Sequence, residues 1–297
     1  MKRHDNYKPW AIICAVAAII GLVAAGVLAV RSVKTQGKTA LDITNRVCVP
    51  ILLYHHVSAD ESMVGEFCIT PAELENDLIY LTENGYTPIH ISQLVEYCYS
   101  GTPLPSRPIV ISFDGSFASG YYHAFALLQK YNTKAVFSVV AEQVNDASKQ
   151  SRSAAVPYLR WSELGEMVES ELVELANQSY GMNRYTQDDR RGIAKHKSES
   201  TDEYYEALYE DVMLAQQDMK DQLGVVPITF VYPYGIVDRQ SINLISELGF
   251  AATLGRDAGA NYLSQDPANL FELRRTVRKH GDYTDDVLNR IYRTRVV

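Results

Sequence analysis

The sequence predicts an α/β fold, a distorted (β/α)7-type barrel preceded by one N-terminal transmembrane helix. Three observations predict it. Short, nearly continuous apolar runs recur from Val49 onward, as strands covered on both faces do. Amphipathic helical segments lie between them, and repeated β-then-α units mean a parallel sheet, which six or seven units curl into a barrel. Before them, Ala11–Val30 carries no charge over about twenty residues, long enough to cross a ~30 Å hydrocarbon layer.

The elements follow in order. Residues 1–10 read as a short cytoplasmic tail, 11–30 as an uncleaved signal-anchor and 31–47 as a polar linker, with one domain over 48–297. Trp10 stands at the interface, flanked by Lys2, Arg3 and Lys8 before the apolar run and Arg31, Lys34 and Lys38 after it. A signal peptide cut near Val27-Leu28-Ala29 is the alternative, giving a secreted protein. Either way the domain lies outside the cytoplasm, and the expected location is the cell membrane, single-pass. Strands are predicted at Ile51–Tyr54, Ile109–Phe113, Ala135–Val140, Val173–Ala176, Thr229–Tyr232 and Ala251–Leu254. Thr70-Pro71-Ala72-Glu73 is a capping box with proline at the first helical position, and Gly85 ends that helix. Further helices start near Ser162, run from Asp202 to Leu223, and run from Asp238 to Leu248. The second of these buries Leu208, Val212, Ala215 and Met219 at helical spacing. Arg184–Ser200 is polar and reads as a surface loop.

Composition narrows the function. The chain has 297 residues with 28 Lys+Arg against 36 Asp+Glu, a net charge of −8, which argues against a nucleic-acid partner held by phosphate neutralisation. Four cysteines, one of them Cys14 in the apolar run, leave Cys48, Cys68 and Cys98, enough for at most one disulfide and without metal-type CxxC spacing.

In parallel α/β folds the chemistry gathers at the carboxyl ends of the strands. Those ends read Tyr54-His55-His56, Ser112-Phe113-Asp114, Asn177-Gln178-Ser179 and Tyr232-Pro233-Tyr234-Gly235. Asp114, ending an apolar strand, is either a cap for the helix near Phe117 or a functional carboxylate. His55 and His56 are ligands or packed imidazoles, and alternation along a strand keeps the two from both facing inward. Tyr-Pro-Tyr-Gly is a turn.

Taken together, these segments resemble the polysaccharide deacetylase family (carbohydrate esterase family 4, the NodB-homology domain), over roughly Val49 to Ile291. Pro50-Ile-Leu-Leu-Tyr-His-His-Val-Ser is similar to the family's opening strand. Val110-Ile-Ser-Phe-Asp-Gly-Ser is similar to its S/T-F-D-D-G motif. Val173-Glu-Leu-Ala-Asn-Gln-Ser-Tyr-Gly-Met-Asn falls where the family carries H-T-Y-x-x-H, and Val231-Tyr-Pro-Tyr-Gly resembles the third motif. The resemblance implies metal-assisted removal of acetyl groups from glycans. An Asp and two His would hold a divalent metal such as zinc, a neighbouring Asp would act as base, and the backbone N–H of the third-motif Tyr would hold the oxyanion.

This sequence departs from that pattern at the ligands. Asp114 matches the base and Tyr234 the oxyanion donor, but the metal positions are Gly115, Gln178 and Asn183. Neutral amides are poor zinc ligands beside thiolate, imidazole and carboxylate, so no metal cofactor is expected. His280, near Arg274 and Arg275, stands either as a substitute general acid or as an exposed loop histidine. The substrate-binding candidates are His55, Tyr180, Tyr232, Pro233 and Tyr234, and the aromatic faces of the tyrosines suit sugar rings. The leading expectation is a membrane-anchored, catalytically impaired deacetylase-like protein that binds cell-wall or surface glycan. A working deacetylase with altered ligands and a structural or regulatory partner protein are the alternatives.

Overall fold

The computed structural model describes residues 46–151, 155, 157–186 and 190–294. In chain order its strands are β1 (Val47–Val49), β2 (Ile51–Tyr54), β3 (His56–Val57), β4 (Cys68–Ile69), β5 (Thr87–Pro88), β6 (Pro108–Phe113), β7 (Ala135–Val139), β8 (Val173–Asn177), β9 (Thr229–Val231), β10 (Ala252–Leu254), β11 (Asn261–Leu263) and β12 (Thr276–Val277). The α-helices are α1 (Pro71–Glu83), α2 (Ile91–Ser100), α3 (Ala126–Lys130), α4 (Ala141–Lys149), α5 (Trp161–Glu169), α6 (Thr201–Leu223), α7 (Arg239–Glu247) and α8 (Thr284–Arg293).

The main sheet runs β10-β9-β8-β7-β6-β2-β12, every pair parallel, with β5 added beside β6. Its two ends meet where Leu254 bridges Leu273, just ahead of β12, and the Leu273 N–H donates to the Thr253 carbonyl at 2.8 Å. The sheet is therefore curled into a (β/α)-type barrel. Strand alternation sorts its residues. Leu52, Tyr54, Ile109, Ile111 and Phe113 pack outward in a cluster with Leu74, Leu78 and Leu164 from α1 and α5. Ile51, Val110, Val136, Ala176 and Val231 form a second cluster, which α2 joins through Ile91 and Leu94.

The predicted strands and helices recur with small changes at their ends. Val140, Tyr232 and Ala251 fall just outside their strands. Val47, which the sequence places in the linker, opens β1, which pairs antiparallel with β11. Helix α1 carries the full capping box, Thr70 with Glu73, and α6 buries Tyr204, Leu208, Val212, Ala215 and Met219 as its spacing requires. Arg184–Ser200 holds no helix or strand among the described residues. The tail, the anchor and most of the linker lie outside the described residues. Among the described residues no helix is long and apolar enough to cross a membrane. Cys48, Cys68 and Cys98 are all free thiols.

Candidate functional site

The inward face of each strand turns polar at its carboxyl end. Val110, Ser112 and Asp114 share one face of β6, Val136 and Ser138 one face of β7, and Ala176 and Gln178 one face of β8. The inward faces of these three strands thus end in a polar mouth. Asp114 is buried there at 8% exposure, with Arg275 beside it at 1%. The guanidinium grips the carboxylate with both arms, Nη1 to Oδ1 at 2.6 Å and Nη2 to Oδ2 at 2.9 Å, while Nε donates to the Gly255 carbonyl at 2.8 Å.

Gln178 closes the other side. Its Nε2 donates to Asp114 Oδ2 at 3.2 Å, and its Oε1 accepts from the Gly115 N–H at 3.1 Å. The Ser138 hydroxyl lies 2.7 Å from Gln178 Oε1 and 3.0 Å from Asp114 Oδ1, and its single proton serves one of them at a time. Burial alone would raise the Asp114 carboxyl; Arg275, His55 and Ser138 outweigh it and hold the group below its ordinary value. Asp114 is thus an ionised carboxylate held by three donors, with the Ser138 proton shared between it and Gln178.

The backbone after β6 makes this arrangement possible. Gly115 has φ of +92°, and a Cβ there would lie 2.5 Å from Cε2 of Phe117. The Phe117 ring itself stacks on His56, centroids 3.6 Å apart. Asn183 is brought to the same mouth by Asp211 of α6, whose carboxylate accepts the N–H groups of Tyr180, Gly181 and Met182 at 2.8, 2.8 and 3.1 Å. Tyr234 reaches it from the turn after β9 with a left-handed backbone, φ of 58°. Gly235 follows in the same region, and any Cβ there would collide with that of Arg256.

Around these groups lies a cavity of about 360 Å³, lined by His55, Asp114, Gly115, Gln178, Asn183, Tyr234 and Arg256 among others. Gly115, Gln178 and Asn183, the positions the motif resemblance assigns to the metal, therefore converge on one cavity. Both histidines line it as well. Alternation predicts that the two do not both face inward, but the chain leaves β2 at Tyr54 and re-enters extended structure as β3, so the two-residue period is broken between them. A larger cleft of about 540 Å³ beside Gly181–Glu199 holds neither Asp114 nor any of Gly115, Gln178, Asn183 and Tyr234.

Four predicted site residues are elsewhere. Tyr232, 1% exposed, points outward with Phe230 into the cluster beneath α6 and α7, because the inward position of β9 belongs to Val231. Pro233 is buried as the first residue of the turn. Tyr180 packs against the outer core, and its N–H is spent on Asp211. His280 lies away from the cavity: its Nδ1 is 2.9 Å from Glu73 Oε2 at the start of α1. Sequence reasoning missed Arg256 and Phe67 altogether, noted Phe117 only as the start of a helix, and noted Arg275 only as a neighbour of His280.

As a metal seat this donor set is unsuitable. Gly115 offers no side chain, both ends of the Gln178 amide are engaged, Asp114 is bound by Arg275, and Asn183 adds only another neutral amide. Among the described residues no group of three or more His, Cys, Asp or Glu could hold a metal ion.

Comparison with known proteins agrees with the fold. The polysaccharide deacetylase family profile matches residues 101–253. A poly-beta-1,6-N-acetyl-D-glucosamine N-deacetylase of Escherichia coli K12 is 26% identical over 230 residues, 71% of this chain but 34% of that protein. The chain thus spans about a third of that curated relative. Among solved structures, a de-N-acetylase from Aggregatibacter actinomycetemcomitans superposes with a TM-score of 0.69 at 20% identity, covering 82% of this chain and all of the other. The Streptococcus pyogenes deacetylase PplD, solved with acetate, gives 0.66 at 17% identity, covering 83% of this chain and 99% of that one. With the profile spanning half of its length and the motif positions gathered in one barrel mouth, the chain belongs to the polysaccharide deacetylase family.

Proposed function

We propose that this protein is a membrane-anchored member of the family that holds surface or cell-wall glycan in the barrel mouth without deacetylating it. One observation carries the reading: the three positions that would ligate the metal face a common cavity as Gly115, Gln178 and Asn183, and the remaining carboxylate is tied to Arg275. A base works by taking a proton from an activated water, and Asp114 already accepts three hydrogen bonds from Arg275 and Gln178, while the residues around it supply no ligand set for a Lewis acid that would activate that water. The aromatic wall of Phe67, Phe117 and Tyr234 remains and suits the faces of sugar rings. The curated relatives' substrate, poly-β-1,6-N-acetylglucosamine, makes a β-linked glycan the first class to try. The anchor at 11–30 would hold the domain outside the cytoplasm, close to such polymers.

The test uses the full-length chain. After incubation with zinc and desalting, elemental analysis should find well below one zinc per chain, and acetate release from poly-β-1,6-N-acetylglucosamine should stay at the no-enzyme level. Stoichiometric zinc together with acetate release that Asp114→Asn abolishes would instead establish a working deacetylase with altered ligands.

A further inference from the structure

We infer that the barrel mouth selects an acidic glycan, seating a sugar carboxylate between Arg256, Arg275 and His55. The inference rests on the binding-only reading above and adds the chemical class of the ligand.

The charge in the cavity is unbalanced. Its one carboxylate, Asp114, is matched by Arg275, so the pair is neutral. Arg256 stands on the same wall and makes no salt bridge or hydrogen bond among the described residues; its guanidinium rests over the Phe67 ring, 5.7 Å from the centroid. Glu66, the acidic side chain that feels Arg256, is itself held by Lys279 at 2.8 Å. One full positive charge in the mouth is therefore left without a protein anion.

Hydrogen-bonding capacity is unbalanced in the same place. Arg275 has five N–H groups, and three are used, one on Gly255 and two on Asp114. The other two have no acceptor among the described residues although the side chain is 1% exposed. His55 Nδ1 is buried with no hydrogen-bond partner, and its ring meets Phe67 edge-on at 5.0 Å. Buried polar groups in folded proteins are nearly always satisfied, so the spare Arg275 donors and the unpartnered His55 Nδ1 mark where a ligand's polar atoms belong.

A planar carboxylate answers both imbalances. It supplies one negative charge and two acceptor oxygens, which match the guanidinium fork better than a neutral acetamido or hydroxyl group does. At about 360 Å³ the cavity is at the small end of ligand sites, with Phe67, Phe117 and Tyr234 beside the cations to take the ring face. A uronic-acid residue combines the two halves.

The test is calorimetric titration of the full-length chain with oligoglucuronate and with the matched neutral oligoglucose of the same linkage. Oligoglucuronate should bind at least tenfold tighter. Arg256→Ala should remove most of that preference, and Arg256→Lys should restore part of it. Because Arg256 is exposed and the Phe67 ring it rests on is exposed as well, its loss should leave the fold intact, which circular dichroism checks. His55→Phe, which keeps an aromatic ring against Phe67, should also weaken the acidic ligand alone. Equal binding of the acidic and neutral oligomers would overturn the carboxylate assignment while leaving the glycan reading standing. Binding of neither would overturn both.

Discussion

At the scale of single residues, the site turns on what replaces a carboxylate. In an α/β barrel mouth a second acidic group beside Asp114 would need a cation to balance it. Here that position is Gly115, and Phe117 occupies the space its side chain would fill. Restoring the family residue alone therefore does not rebuild a ligand. Gly115→Asp should cost about 1–3 kcal/mol of stability, from a left-handed backbone and overpacking against the ring. Combining it with Phe117→Ala should return part of that loss in urea denaturation. Equal losses in the single and double variants would show that the ring is not the obstacle.

At the scale of elements, helix α1 is fixed by its first turn. Thr70 and Glu73 satisfy each other's backbone donors, and the Glu73 carboxylate also accepts the Gly281 N–H at 2.7 Å and faces His280. Burial pushes the Glu73 carboxyl up, and the donors of Thr70, Gly281 and His280 more than reverse it, to about 2. A carboxyl held lower in the folded chain than in the unfolded one contributes stability that is complete above its ordinary value of 4.5 and is lost as pH falls toward about 2. The difference in melting temperature between the wild-type chain and Glu73→Gln should thus be constant from pH 7 to pH 5 and shrink below pH 4. A gap that stays constant down to pH 3 would rule this linkage out. The same contact explains why His280, legible only as a histidine near two arginines, belongs to a helix start and not to the chemistry.

At the scale of the whole molecule, a second buried ion pair ties the beginning of the barrel to its end. Asp77 of α1 is fully buried and meets Arg278, just after β12, at 3.0 Å. It also accepts from the Tyr54 hydroxyl of β2 at 3.0 Å and the Thr284 hydroxyl of α8 at 2.5 Å. One carboxylate thus joins segments more than 200 residues apart in sequence. Asp77→Ala leaves the Arg278 guanidinium buried without an anion, and it should destabilise the chain by about 3–5 kcal/mol in urea unfolding. A loss below about 1 kcal/mol would mean that Arg278 finds another partner or reaches water.

The sequence by itself determined the six strands β2, β6, β7, β8, β9 and β10, the helices α1, α5, α6 and α7, and the identity of the residues at the positions the resemblance assigns to the metal, because period, capping and motif are local properties. Gly115, Gln178 and Asn183 could be read without coordinates, and they do face one cavity. Tertiary structure alone decided which aromatic residues face inward, since Tyr232 and Tyr234 are two positions apart yet one lies under helices and the other on the cavity wall. It alone disclosed the partner of Asp114, because Arg275 lies 161 residues away and no local pattern reports a contact that barrel closure makes. The physical reason is the same in each case: backbone preferences act over a few residues, whereas the pairing of buried charges depends on which distant segments the closed sheet brings within hydrogen-bonding reach.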